Sequence, residues 1–173
     1  MTKDSSAVTF DGRAVANFIL DFCERRDRPV SNLSLQKIVF FCHAWSLTQR
    51  QKPLIRHSFE AWQHGPVLQY LYREFKEFDD RPIESRARKL DPLTGQKQVV
   101  TYDFDGHTAA LLEKVVDFYS QMSAFDLVAL THVRGGPWER VWHHGGTVNP
   151  GMKIDDNEIA RFYSKISAPF VAQ

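Results

Sequence analysis

Leu35-Gln-Lys-Ile-Val-Phe-Phe-Cys-His-Ala-Trp-Ser-Leu47 is the stretch on which the fold turns. Leu35, Ile38, Val39, Cys42 and Trp45 follow helical spacing, and Phe40, Phe41, Ala44 and Leu47 cover most of the remaining circumference. A helix that is apolar nearly all round has no face to give to water, so it belongs at the centre of the molecule. Ser34 is a suitable N-cap, and Lys52-Pro53 closes the region after the helix. Further on, Phe59-Glu-Ala-Trp-Gln-His-Gly-Pro-Val67 contains Gly65-Pro66, where a helix is expected to restart because proline suits the first helical position.

Before the central helix, Asp11 caps a segment in which Val15, Phe18, Ile19, Phe22 and Cys23 form one apolar stripe. Arg13, Asn17, Asp21, Glu24 and Arg25 occupy its far side, and Pro29 ends it. After the central helix, Leu54 to Trp62 reads as an extended link. A third helix is expected over about Pro66 to Phe78, with Leu71, Phe75 and Phe78 turned inward and Tyr70, Arg73 and Glu77 outward. Between Arg86 and Phe104, the turn-rich Asp91-Pro-Leu-Thr-Gly95 and the strand-forming Val99-Val-Thr-Tyr-Asp-Phe104 predict a small β-hairpin. A fourth helix over about His107 to Tyr119 buries Leu112, Val115, Val116 and Tyr119. Ser123 with Asp126 caps a fifth, expected to end at Gly135-Gly136. Pro137-Trp138 opens a short helical turn, Gly145 to Gly151 a loop, and Ile159, Phe162, Tyr163 and Ile166 a final stripe. The expectation is a mainly α fold of about six helices around one buried helix, with a small antiparallel hairpin. Residues 11–167 make one compact domain, between a flexible N-terminus at 1–10 and a flexible tail at 168–173.

The chain has 173 residues, 43% hydrophobic and 13% aromatic, enough for one domain to bury roughly 70% of its unfolded surface. Lys plus Arg number 22 against 21 for Asp plus Glu, so no global field draws the protein to nucleic acid or membrane. No apolar run approaches the ~20 residues of a membrane helix, and Met1 to Ala7 lacks the apolar core of a signal peptide. Cys23 and Cys42 fall on apolar helix faces and read as reduced thiols. The location expected is the cytoplasm.

A search for chemistry returns little. The seven histidines show no metal-ligand spacing, and His143-His144 beside Gly145-Gly146 reads as loop. Cys42 and His43 are helix neighbours about 100° apart and cannot form a dyad. Apolar surroundings also make Cys42 inert. Neither glycine pair has phosphate-loop spacing. No cofactor, metal or catalytic group is expected. The basic clusters Arg25-Arg26-Arg28 and Arg86-Arg88-Lys89 are diluted by neighbouring acids. Trp45, Trp62 and Trp138 read as core, whereas Tyr70 and His43 lie on less apolar helix sides and are read as surface. The start at His64-Gly65-Pro66 offers backbone N–H groups to a partner carboxylate. The candidate partner-binding residues are therefore His43, His64, Tyr70, Arg73, Arg86 and Arg88.

In their order and spacing, Leu35-Gln-Lys-Ile-Val-Phe-Phe-Cys-His-Ala-Trp45, Pro53-Leu-Ile55, Phe59-Glu-Ala-Trp-Gln-His-Gly-Pro-Val67, Tyr72-Arg-Glu-Phe75, Leu130-Thr-His132 and Gly136-Pro-Trp138 resemble the Panacea antitoxin domain. That family is also called SocA-like and occurs in phage-associated GepA-type proteins. The likeness runs from about Val15 to Trp142. His64 stands where the family often has an aromatic residue, and Cys42-His43 replaces small ones. The resemblance implies a helical domain that neutralises a cognate toxin, usually encoded beside it, by binding it directly. It brings no enzymatic residues, and it carries a related expectation that the bound toxin is handed to an energy-dependent protease such as ClpXP. Two other classes compete. One is a hydrolase using His64, His132 and Glu60, which requires those groups to converge in a cleft. The other is a nucleic-acid binder using Arg25, Arg26, Arg28, Arg86, Arg88 and Lys89, which requires both clusters on one face.

Overall fold

The central segment forms helix α2, Asn32–Gln49, and it is buried on all sides from Leu35 to Ser46. The computed structural model describes residues 8–143 and 150–171. Helices α1 (Gly12–Glu24), α4 (Gly106–Tyr119), α5 (Ala124–Thr131) and α7 (Asp156–Tyr163) pack around α2. The other two α-helices among the described residues are the short α3 (Gln69–Glu74) and α6 (Pro137–Trp142). The stripe on α1 is buried as its spacing predicts, and Asp11 caps it by accepting from the Arg13 N–H. Ser123 caps α5 in the same way, accepting from the Asp126 N–H.

Trp45 is the hub of the aromatic core. Its Nε1–H donates to the Tyr119 hydroxyl at 3.0 Å, which provides the partner a buried indole needs. Phe41 stacks on Tyr119 with ring centroids 4.0 Å apart, and Tyr163 meets Trp45 edge-on. Ala168 and Phe170, in the expected tail, pack against this core. Phe10, in the expected N-terminal segment, pairs with Ile55 and lies edge-on to Phe104.

Several local expectations are corrected. The N-cap of α2 is Ser31, whose hydroxyl accepts from the Ser34 N–H, so Ser34 lies inside the first turn. Gly65-Pro66 does not open a helix. Gly65–Val67 is strand β2, paired antiparallel with β1 (Phe59–Trp62) in the register Glu60↔Val67, Ala61↔Pro66 and Trp62↔Gly65. β2 lies at the edge of a three-stranded sheet ordered β2-β1-β5, with β5 at Lys153–Ile154. An edge strand tolerates a proline that cannot donate to the ladder. The chain returns through Gln63-His64 into Gly65 at φ +104°, a conformation suited to glycine. The third helix therefore spans only Gln69–Glu74, followed by a 3₁₀ turn at Lys76–Phe78, and α5 stops at Thr131, short of Gly135. A hairpin forms between Arg86 and Phe104 as expected, from β3 (Arg88–Leu90) and β4 (Lys97–Val99), but its second strand ends at Val99, and the strand-forming stretch that follows to Phe104 is not in a strand. Most of the Gly145–Gly151 loop, with His144, lies outside the described residues.

Candidate partner-binding surface

The polar side of α1 grips the base of the β3–β4 hairpin. Asn17, expected at the surface, is buried: its amide donates to the Ala87 and Val100 carbonyls at 3.0 and 2.8 Å, and its oxygen accepts from the Ala87 N–H at 2.7 Å. Arg86 donates to Asp21 at 2.6 Å and to Glu24 at 2.7 Å, and the Tyr102 hydroxyl donates to Asp21. Arg86 is thus committed to holding the hairpin on α1. Partial burial, then the hydrogen bond to the Asp21 carboxylate, push the Tyr102 phenol up.

This anchoring opens a cleft of about 460 Å³ between α3 and the hairpin, lined by Arg73, Glu74, Glu77, Arg86, Arg88 and Lys97. Three of the expected partner-binding residues, Arg73, Arg86 and Arg88, meet there. Tyr70 stands near them: the Arg13 guanidinium lies over its ring, and the same Arg13 reaches the Arg88 carbonyl. Its hydroxyl accepts from the Gly12 N–H at 2.9 Å, and burial pushes its pKa up to about 12. Tyr70 is therefore half-buried and partly structural.

His43 is corrected from surface to core. It has no exposed area, because α2 is surrounded on every side. Its Nδ1 accepts from the Ile55 N–H at 3.2 Å, which leaves Nε2 as the donor to the Asp156 carboxylate at 2.8 Å. This pair ties α2 to the start of α7. His64 is exposed in the β1–β2 turn, away from any helix start.

The motif residues around that turn converge on a group the sequence reading passed over. Lys37 is fully buried, and its Nζ donates to the Pro66 carbonyl at 3.0 Å. Burial, with no carboxylate partner among the described residues, pushes its pKa down to about 7. Gln36 accepts from the Leu68 N–H, Asn32 donates to the Tyr72 carbonyl, and the Trp138 indole donates to the Trp62 carbonyl. These bonds fasten β1, β2 and α3 to α2 and α6. A Lys inside an otherwise apolar helix was the available signal, masked by the habit of reading lysine as solvent-facing.

Two of the hydrolase candidates, His132 and Glu60, have other contacts. His132 stacks on Trp138 with centroids 3.7 Å apart, and its buried Nε2 has no hydrogen-bond partner among the described residues; burial, then the charges of Lys37, His64 and His143, push its pKa down. Glu60 accepts from the Trp62 indole instead of from either histidine. Burial pushes both cysteine thiols up. Among the described residues, no group of three or more His, Cys, Asp or Glu is placed to hold a metal, and no helix is long and apolar enough to cross a membrane. Half of the nucleic-acid candidates are engaged in ion pairs: Arg26 and Arg28 share Asp117, and Arg86 meets Asp21 and Glu24.

What the fold presents is a helical domain with a pinned hairpin and a basic cleft. Residues 35–139 match the family described as antitoxin SocA-like, Panacea domain. The chain is also 39% identical over 170 residues to Antitoxin SocA of Caulobacter vibrioides (strain NA1000 / CB15N), covering 96% of this chain and 89% of that protein. The protein belongs to the SocA-like Panacea domain family. No solved structure matches it significantly.

Proposed function

We propose that this protein is the antitoxin of a toxin–antitoxin pair and neutralises its toxin by direct protein–protein contact. The observation that carries this reading is the 39% identity to Antitoxin SocA across 96% of the chain. The surface chemistry supports it. The hairpin and α3 present Tyr70, Arg73 and Arg88 beside the exposed apolar side chains Leu90, Leu93 and Val99, a mix of aromatic, cationic and aliphatic groups suited to a protein interface. Arg86 serves this surface by fixing the hairpin, and His64 offers a separate exposed position. The partner is the product of the neighbouring gene, and delivery of the bound toxin to an energy-dependent protease is the finer form of the same reading.

The test is co-expression of that neighbouring product with and without this chain. Growth arrest relieved by the chain, with both proteins recovered as one complex, is the expected result. Relief accompanied by protease-dependent loss of the partner identifies delivery for degradation. Growth unaffected by the neighbouring product, or arrest that this chain does not relieve, overturns the proposal.

A further inference from the structure

We propose that the β3–β4 hairpin and α3 clamp a segment of the toxin that carries both carboxylates and aliphatic side chains, laid along the cleft-facing side of the hairpin. This rests on the antitoxin reading and names the chemistry of the partner.

The register determines what that side displays. Arg88 pairs with Val99 and Leu90 with Lys97, and opposed residues of an antiparallel pair share a face while alternate residues along a strand return to it. Arg88, Leu90, Lys97 and Val99 therefore form one face, with Lys89 and Gln98 on the other. Arg88 and Lys97 line the cleft, so this is the face turned to α3. Leu90 is 60% exposed and Val99 48%, and Leu93 at the hairpin tip is 94% exposed. Apolar side chains left in water on a positioned strand face call for a partner that covers them.

Charge decides the partner's sign. Arg73 on the α3 wall and Arg88 and Lys97 on the hairpin wall have no ion-pair partner among the described residues, whereas Arg86 is already matched by Asp21 and Glu24. Glu74 accepts from the Arg88 N–H at 2.9 Å, which leaves Glu77 as the carboxylate on that wall with no hydrogen bond or ion pair from its side chain among the described residues. Cations stand on both walls, and Leu90 and Val99 share the hairpin face with two of them. A phosphate backbone would use the cations and leave Leu90 and Val99 uncovered, so the face fits an acidic, aliphatic protein segment.

The experiment measures the affinity of the full-length chain for the purified neighbouring-gene product as a function of salt. The variants are the double substitution Arg88→Glu with Lys97→Glu, the double substitution Leu90→Ser with Val99→Ser, and Arg134→Glu as an exposed charge outside the cleft. All are at exposed positions, and thermal melts check that each folds. The charge reversal is expected to weaken binding about 10- to 100-fold at low salt and to flatten its salt dependence. The serine pair is expected to weaken binding with the salt dependence kept, and Arg134→Glu to bind like the unchanged protein. Toxin binding unaltered by both double variants overturns the clamp while the antitoxin reading stands. Failure of the unchanged chain to bind the toxin overturns both. Loss of affinity for a short DNA duplex in the charge variant, with toxin binding intact, assigns the face to nucleic acid and also overturns it.

Discussion

Lys37 makes the protein's stability depend on pH in a way that tests the packing around the β1–β2 hairpin. Its ammonium group is buried against the Pro66 carbonyl, with its pKa pushed down from 10.5 to about 7 by desolvation. Between these values the unfolded chain holds the proton more tightly than the folded one, so stability rises with pH across that window. Each unit of separation corresponds to about 1.4 kcal/mol. With both states titrating, the gain from pH 7 to pH 9 is about 2 kcal/mol. Lys37→Met keeps the unbranched shape and removes the titration. It leaves the Pro66 carbonyl without its donor, at a pH-independent cost of about 1–3 kcal/mol. The assay is urea unfolding of both proteins at several pH values in this range. Cys23 and Cys42, raised by burial, act in the opposite direction near pH 9, but equally in both proteins, and so cancel in the difference. Tyr70 and Tyr119, pushed up to about 12, act only above the window. The difference in stability, unchanged protein minus variant, should grow by about 2 kcal/mol from pH 7 to pH 9. A difference flat to within about 0.5 kcal/mol would show that Nζ is hydrated or matched by a charge, and would refute the reasoning.

Gly65→Ala should unfold the domain or cost more than about 3 kcal/mol, because a Cβ would stand 2.6 Å from Thr131 Oγ1 and 2.7 Å from Lys37 Cε at φ +104°. Gly95→Ala, also at positive φ but with nothing within 4 Å of its Cβ, should cost only about 1 kcal/mol; equal losses in thermal melts would contradict the packing account. Asn17→Ala strips the hairpin base of its three side-chain bonds and should cost about 2–4 kcal/mol, with faster amide exchange across β3 and β4. Unchanged exchange there would mean that the hairpin is held elsewhere. His43→Ala should cost about 2–4 kcal/mol by orphaning the Ile55 N–H and opening a hole. Lost toxin neutralisation at native stability would instead make His43 a contact.

The antitoxin reading divides the expected contact residues by physical role. Arg73 and Arg88 have side chains available to a partner, Arg86 spends its guanidinium on α1, and His43 spends both ring nitrogens inside the core. Tyr70 lies between these cases, since its hydroxyl accepts from the start of α1 while part of its ring remains accessible. Tyr70→Ala would therefore disturb stability together with binding.

Local chemistry determined much of this fold. An apolar circumference from Leu35 to Leu47 leaves α2 no place but the centre, Asp11 and Ser123 cap the helices that follow them, and Asp91 to Gly95 turn one strand onto the next. These features are decided within a few residues, so they are legible in the chain. Other features needed groups far away in sequence. Gly65-Pro66 has the local form of a helix start, yet the Lys37 ammonium, 29 residues earlier, and the edge of β1 draw it into a strand. His43 and Asn17 look polar enough for the surface until Asp156, 113 residues away, and the Ala87 and Val100 backbone supply their partners. The cleft has the same origin: Arg73, Arg88 and Lys97 meet only because Arg86 and Asn17 fasten the hairpin to α1, since long-range pairing, unlike a cap or a turn, leaves no local pattern to read.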